Sequence, residues 1–174
     1  PAPSLIVTSP PPTEPSPSRP AWLIEWQASS QFEVTKAIVE IMGKTGYCVR
    51  PEISRKVFPT LDPGAGSVSR AFAAAVEMKL IQELEIKGEA TGTAPHLCRL
   101  TDRGKEAFRL LFNADAVSEY DVLLARHKSQ EHLVLNIQAR EQLRKRGYAV
   151  DHNPSPVTLP SGGNLDVDII ARKG

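Results

Sequence analysis

Ser67-Val68-Ser69-Arg70-Ala71-Phe72-Ala73-Ala74-Ala75-Val76-Glu77-Met78-Lys79-Leu80-Ile81-Gln82-Glu83-Leu84-Glu85-Ile86 changes its hydrophobic period half-way along. Val68, Ala71, Phe72, Ala75 and Val76 fall at helical spacing. They predict a helix that Ser67 caps, that runs to about Lys79, and that puts Phe72 in a core. From Leu80 onward, Leu80, Gln82, Leu84 and Ile86 alternate with Ile81, Glu83, Glu85 and Lys87, which is strand patterning broken only by Ile81. Gly88, Thr91, Gly92, Thr93 and Pro95 make a flexible tip, and Leu97 to Leu100 returns as a second strand. Thr101 and Asp102 then cap a helix carrying Ala107, Phe108, Leu110, Leu111 and Phe112. Helix, hairpin, helix commits this region to an α+β fold.

Working outward toward the N-terminus, Val34, Ala37, Ile38, Ile41 and Met42 predict another helix, with Ser29 or Ser30 as its cap and Gly43 and Gly46 at its end. Pro51 suits the first turn of a short helix from Glu52 to Val57. Pro59, Pro63, Gly64 and Gly66 form the loop that follows. Residues 29–112 therefore read as three helices, a hairpin and a helix. Eight of the 15 prolines lie between Pro1 and Pro20, so residues 1–28 are expected to be an extended, proline-rich linker. Leu5-Ile6-Val7 reads either as the end of a strand or as part of a disordered terminus. The chain opens at Pro1 without a methionine and is expected to be a piece of a longer protein.

Toward the C-terminus, residues 113–128 read as a connecting helix, and residues 129–174 as a different unit. Ser129 to Arg146 predicts a strong helix with Leu133, Ile137, Arg140, Leu143 and Arg144 near one face, ended by Gly147. Tyr148 to Val150 is expected to be a strand, and Leu165 to Ala171 a second one beyond a Pro- and Gly-rich loop. Arg140, Arg144, Lys145 and Arg146 make a basic cluster, normally a solvated face but also able to meet phosphate.

Composition narrows the function. Twenty-one Lys and Arg oppose 20 Asp and Glu, a net charge of +1, so any nucleic-acid contact must come from a local patch. Two cysteines, Cys48 and Cys98, are too few for a disulfide scaffold or a cysteine-rich zinc site, and a reducing cytoplasmic location is the default. His96 beside Cys98 lacks the further ligands a metal needs and reads as part of a structural hairpin. No apolar run reaches the roughly 20 residues of a membrane span, and no signal sequence opens the chain.

Three pieces carry a resemblance. Arg50 to Val57 fits a short second helix, and Gly66 to Leu80 fits a recognition helix running into a strand. Leu100-Thr101-Asp102-Arg103-Gly104-Lys105-Glu106-Ala107 resembles the "Leu-Thr-x-x-Gly" junction of winged helix-turn-helix domains. The resemblance covers residues 29–112 and implies DNA binding. Ser67, Ser69 and Arg70 at a helix N-terminus would donate to phosphates or base edges, and Lys87, Thr91, Thr93 and His96 on the wing would line the backbone. Against this, residues 29–112 hold 12 basic and 10 acidic groups, a low net charge for a sequence-specific regulator. A winged helix can also be a protein-docking module.

The tail carries a second resemblance. A helix starting near Glu131-His132, then Arg146-Gly147-Tyr148-Ala149-Val150, a loop, and Asn164-Leu165-Asp166-Val167-Asp168-Ile169-Ile170-Ala171 resembles the opening of a restriction-endonuclease-like domain. The resemblance implies that Asp166 and Asp168 are the metal and catalytic carboxylates, with Glu131 as a third ligand and Mg or Mn as the ion. The family's following Glu-x-Lys strand is missing from this chain, and Asp166 and Asp168 also read plainly as an exposed pair on an edge strand. Finally, Ser4-Leu5-Ile6-Val7-Thr8-Ser9-Pro10-Pro11-Pro12 is similar to the exit from the motor domain of conjugative or DNA-translocating P-loop ATPases, although no phosphate-binding loop occurs here. The expected function is a DNA-binding accessory region of a larger DNA-processing or DNA-transfer protein. The alternatives are a truncated metal-dependent nuclease domain, and a protein-interaction winged helix that docks a motor or replication partner.

Overall fold

The computed structural model describes residues 19–84, 96–151 and 154–173. Among them the fold is mixed α and β. Its elements are α1 (Ala21–Ala28), α2 (Phe32–Thr45), α3 (Arg50–Val57), α4 (Gly66–Glu77), β1 (Ile81–Leu84), β2 (Leu97–Leu100), α5 (Asp102–Phe112), α6 (Glu119–His127), α7 (Gln130–Lys145), β3 (Tyr148–Asp151), β4 (Val157–Thr158), β5 (Asn164–Leu165) and β6 (Ile170–Lys173). Among the described residues every sheet is a two-stranded antiparallel pair: β1 with β2, β3 with β6, and β4 with β5. No helix among them is long and apolar enough to cross a membrane.

The main core gathers one face from each of α1, α2, α4 and α5 and closes over the hairpin. Ile38, Val39, Val68, Phe72, Ala75, Leu80, Cys98 and Phe108 are all buried there. Phe72 is fully buried beside Val68, as its spacing predicts, but Val76 leaves the stripe and is 38% exposed. Val76, in the last turn of α4, lines an open groove with Ile81, Thr101 and Arg103. The backbone around Val49 adds a third rung to the hairpin: Val49 bridges Leu97, Arg50 N donates to His96 O at 2.8 Å, and Cys98 N donates to Cys48 O at 2.8 Å.

The junction after the hairpin shows why that stretch needs its residues. Thr101 N donates to Leu80 O at 3.1 Å, and the Thr101 hydroxyl donates to Lys79 O. The same hydroxyl accepts from Gly104 N at 3.0 Å, capping α5. The first turn of α5 then lies so close to the Leu80 carbonyl that a Cβ on residue 104 would stand 1.9 Å from that oxygen. Only glycine permits the approach.

Four expectations change. The linker does not extend to residue 28, because Ala21–Ala28 is a helix. Leu23 and Trp26 are buried in the core, and Trp26 Nε1 donates to Thr35 Oγ1 at 2.7 Å. This tertiary bond is invisible to a proline count. Second, neither Ser29 nor Ser30 caps α2; Gln31 holds the cap position without a side-chain bond. Third, Ser67 lies inside the first turn of α4, and Ala65 holds its cap position, again without a side-chain bond. Fourth, the strand expected from Leu165 to Ala171 is two short pieces, β5 and β6, separated by 166–169. Here Arg126 Nη2 donates to Val167 O at 2.7 Å and Asn136 Nδ2 donates to Asp168 O at 3.3 Å. Carbonyls that a partner strand would have used go instead to side chains of α6 and α7.

Those two helices do not form a separate unit. Tyr120, Leu123, Leu133, Val134 and Ile137 form a second core together with Cys48, Val49 and Leu97. Ser118 and Ser129 cap α6 and α7. Gly147 then takes φ +83°, which lets the chain turn from α7 into β3.

Candidate functional site

Two places gather the chemistry. The first is the exposed side of α4. Its buried stripe of Val68, Ala71, Phe72 and Ala75 fixes which residues face outward. Ser67, Ser69, Arg70 and Ala73 are exposed, with Glu77 at the far end. The first turn carries no side-chain cap, so its N–H end offers donors and positive dipole to an anion. Arg55 and Lys56 are exposed on the last turn of α3, one loop away.

Arg50 organises this side, although sequence reasoning did not single it out. Its guanidinium bonds Glu83 Oε1 at 2.7 Å and Ser69 Oγ at 3.2 Å. It also stacks 4.7 Å from the centroid of the Phe72 ring. One side chain thus joins α3, α4 and β1. Ser69, expected as a free donor, accepts this bond, while its hydroxyl hydrogen is left for a ligand. His96 is exposed at the start of β2. Lys87, Thr91 and Thr93 lie outside the described residues.

The second place is the tail, and the structure assembles a different set from the expected one. Asp168 Oδ2 lies 3.0 Å from His132 Nε2, and Asp168 Oδ1 lies 3.5 Å from His127 Nδ1. These three form the one group of metal-type ligands within mutual reach among the described residues. Asp166 and Glu131 are exposed and outside it. Burial lowers the pKa of His127, the neighbouring His132 lowers it further, and Asp168 opposes both. Neither His127 nor His132 reads as a ligand in the sequence, because their partner is 36 and more residues away. The spacing His-x4-His across a Ser N-cap was the available signal.

The basic cluster on α7 is also changed. Arg140 is not solvated: its side chain is 1% exposed and pairs with Glu52 Oε2 and Glu119 Oε1, each at 2.8 Å. Arg144 Nη1 lies 2.7 Å from Glu52 Oε1. Lys145 and Arg146 stay exposed. The Glu52–Arg140–Glu119 chain locks α7 to α3 and α6, so Arg140 and Arg144 serve the fold before any phosphate.

Both cysteines are structural. Burial raises the Cys98 thiol to about 12, and burial with the Glu119 carboxylate raises Cys48 further still. Neither is a thiolate nucleophile at neutral pH. Compared with family models, with curated proteins and with solved structures, the chain matches none.

Proposed function

We propose that this chain is a DNA-binding region of winged-helix type, serving a larger DNA-processing or DNA-transfer protein. One observation carries the reading. Helix α4 follows α3 across a loop, runs into the β1–β2 hairpin, and keeps Ser67, Ser69 and Arg70 on its exposed, uncapped N-terminal half. Donors at a helix N-terminus are suited to phosphate and to base edges. Arg55 and Lys56 add positive charge nearby without making the whole chain basic. The Thr101–Gly104 junction supports the same family reading, because its glycine answers to a close backbone approach rather than to chance composition.

Fluorescence anisotropy with a labelled duplex tests the proposal. Affinity should fall linearly in log–log form as salt rises. Arg70→Ala with Lys87→Ala should weaken binding for all sequences and reduce the salt slope by about 0.9 for each phosphate no longer neutralised. Binding that ignores salt, or a double variant indistinguishable from the parent, would remove DNA as the ligand and leave protein docking as the role of this face.

A metal-dependent nuclease element is the second reading. Helix α7, then β3 paired with β6, supports this reading by its element order, with Asp166 directly after β5 in the segment that leads to β6. Manganese-dependent cleavage by a protein continuing past Gly174, abolished by Asp166→Ala, is its test.

A further inference from the structure

We propose that His127, His132 and Asp168 form a binding site for a divalent transition-metal ion of the zinc type. The site is distinct from the Asp166 and Glu131 set that the nuclease resemblance implies, and it does not depend on DNA binding.

The geometry comes first. Ligands about 2.1 Å from a tetrahedral zinc stand about 3.4 Å from one another. Asp168 Oδ1 lies 3.5 Å from His127 Nδ1 and Asp168 Oδ2 lies 3.0 Å from His132 Nε2, and one ligand atom from each of the three residues lies within 4.8 Å of the others. Small side-chain movements of two rim residues close such a triangle onto one ion. His132 and Asp168 are those rim residues, with side chains 48% and 53% exposed, while His127 is 2% exposed and forms the floor. The ion would enter from the solvent side and keep one coordination position open to water.

The ligands are held in place by other parts of the fold. His127 is the last residue of α6, Lys128 turns the chain at φ +58°, and the Ser129 hydroxyl caps α7 by accepting from His132 N at 3.1 Å. That tight turn brings the two imidazole rings to 4.4 Å between centroids. Asp168 arrives from the opposite side. Arg126 holds the preceding carbonyl, Val167 O, at 2.7 Å, and Asn136 holds Asp168 O at 3.3 Å. With the backbone at His132 and Asp168 held in this way, only the two rim side chains remain to be ordered when an ion binds.

A buried polar side chain stands behind His127, on the ring nitrogen that would not bind the ion. Asn136 is 3% exposed and its Oδ1 has no hydrogen-bond partner, while its Nδ2 faces His127 Nε2 at 3.1 Å. This suits a His127 whose proton is on Nδ1, facing Asp168. An ion on Nδ1 moves that proton to Nε2. Turning the Asn136 amide then gives its Oδ1 the Nε2–H as a donor, in exchange for the Nδ2 bond to Asp168 O. Metal-bound histidines are oriented in this way by a second, non-ligating group.

The donor set selects the ion. Two imidazole nitrogens and one carboxylate suit zinc and its neighbours, whereas magnesium and calcium prefer all-oxygen sites. The bound ion would fasten the 166–169 segment to the α6–α7 turn.

Calorimetric titration of the untagged full chain with zinc chloride is the direct experiment, with cobalt chloride as a coloured probe of tetrahedral geometry. We expect one ion per chain and a rise in thermal midpoint on adding zinc. His132→Ala and Asp168→Ala change exposed side chains and should leave the midpoint without metal close to that of the parent. Each should weaken zinc binding by at least about tenfold, and Asn136→Ala by about 10–100-fold. Asp166→Asn and Glu131→Gln should bind as the parent does. Absence of binding at about 1 mM zinc, or full binding retained by a folded His132→Ala/Asp168→Ala double variant, would overturn the proposal. Loss of binding in Asp166→Asn alone would overturn it in favour of the nuclease-type set.

Discussion

Replacing Arg140 with methionine keeps most of the side chain's volume and removes only its charge and hydrogen bonds. Arg140 is the largest fully buried side chain among the described residues. Its Nη1 and Nη2 each meet a carboxylate at 2.8 Å, and those carboxylates, Glu119 and Glu52, are themselves only 14% and 13% exposed. Its Nε lies 3.3 Å from Glu141 Oε1, an ion contact without hydrogen-bond alignment. Removing one member of a buried ion network typically costs about 3–5 kcal/mol, because the remaining charge stays desolvated. Arg144 still reaches Glu52 at 2.7 Å, but its side chain is 40% exposed, and such a pair offsets at most about 1 kcal/mol. Arg140→Met should therefore lose about 3 kcal/mol or more near neutral pH, measured by urea denaturation.

The deficit should also depend on pH. Burial already raises the Glu52 pKa in the parent, against the opposing pull of Arg140. Without Arg140 it rises further. A carboxyl whose folded pKa exceeds its unfolded value favours the folded state at low pH and loses that contribution as pH climbs through the folded pKa. The gap between parent and variant should thus narrow as pH falls from about 7 to about 5. Adding Glu52→Gln and Glu119→Gln to Arg140→Met should recover more than half of the loss, since the two carboxylates that faced the guanidinium at 2.8 Å are then neutral. A loss under about 1 kcal/mol that is flat with pH would show that Arg140 is solvated and that the α3–α6–α7 junction is held by other contacts.

Two further expectations follow from the packing. Gly104→Ala should destabilise the fold by more than about 2 kcal/mol, because the added methyl would meet backbone, the Leu80 carbonyl at 1.9 Å, and not a movable side chain; a near-neutral thermal melt would mean the α5 junction is looser than described. Burial pushes the Asp121 carboxyl up, but the hydrogen bonds from Lys105 (2.7 Å) and Ser118, together with the Lys105 and Arg99 charges, outweigh it and hold the pKa below the ordinary carboxylate range. Its contribution is present above the unfolded pKa and lost as pH falls through the lower folded value, so Asp121→Asn should narrow the parent's stability advantage only below about pH 4; being partly exposed, the pair should change the melt only slightly, and a large effect at neutral pH would contradict this.

Local chemistry was enough for much of the architecture. The apolar spacing in α2, α4 and α5, Pro51 of α3, the alternation after Leu80 and the Thr101 cap each act within a few residues, where side-chain periodicity and capping dominate. They made the α+β order legible, and with it an exposed helix start carrying Ser67, Ser69 and Arg70, although the cap position falls to Ala65 and not to Ser67. Tertiary structure decided whatever depended on a distant partner. Trp26 makes Ala21–Ala28 a packed helix by reaching Thr35, and Arg140 leaves the solvent because Glu52 lies 88 residues away in the chain and a buried guanidinium needs such a partner. Val167 and Asp168 leave the expected strand because Arg126 and Asn136 take their carbonyls. The same diversion turns Asp168 from Asp166 toward His127 and His132. A strand's period describes only its own two faces, and it carries no information about which helix side chain will compete for its backbone.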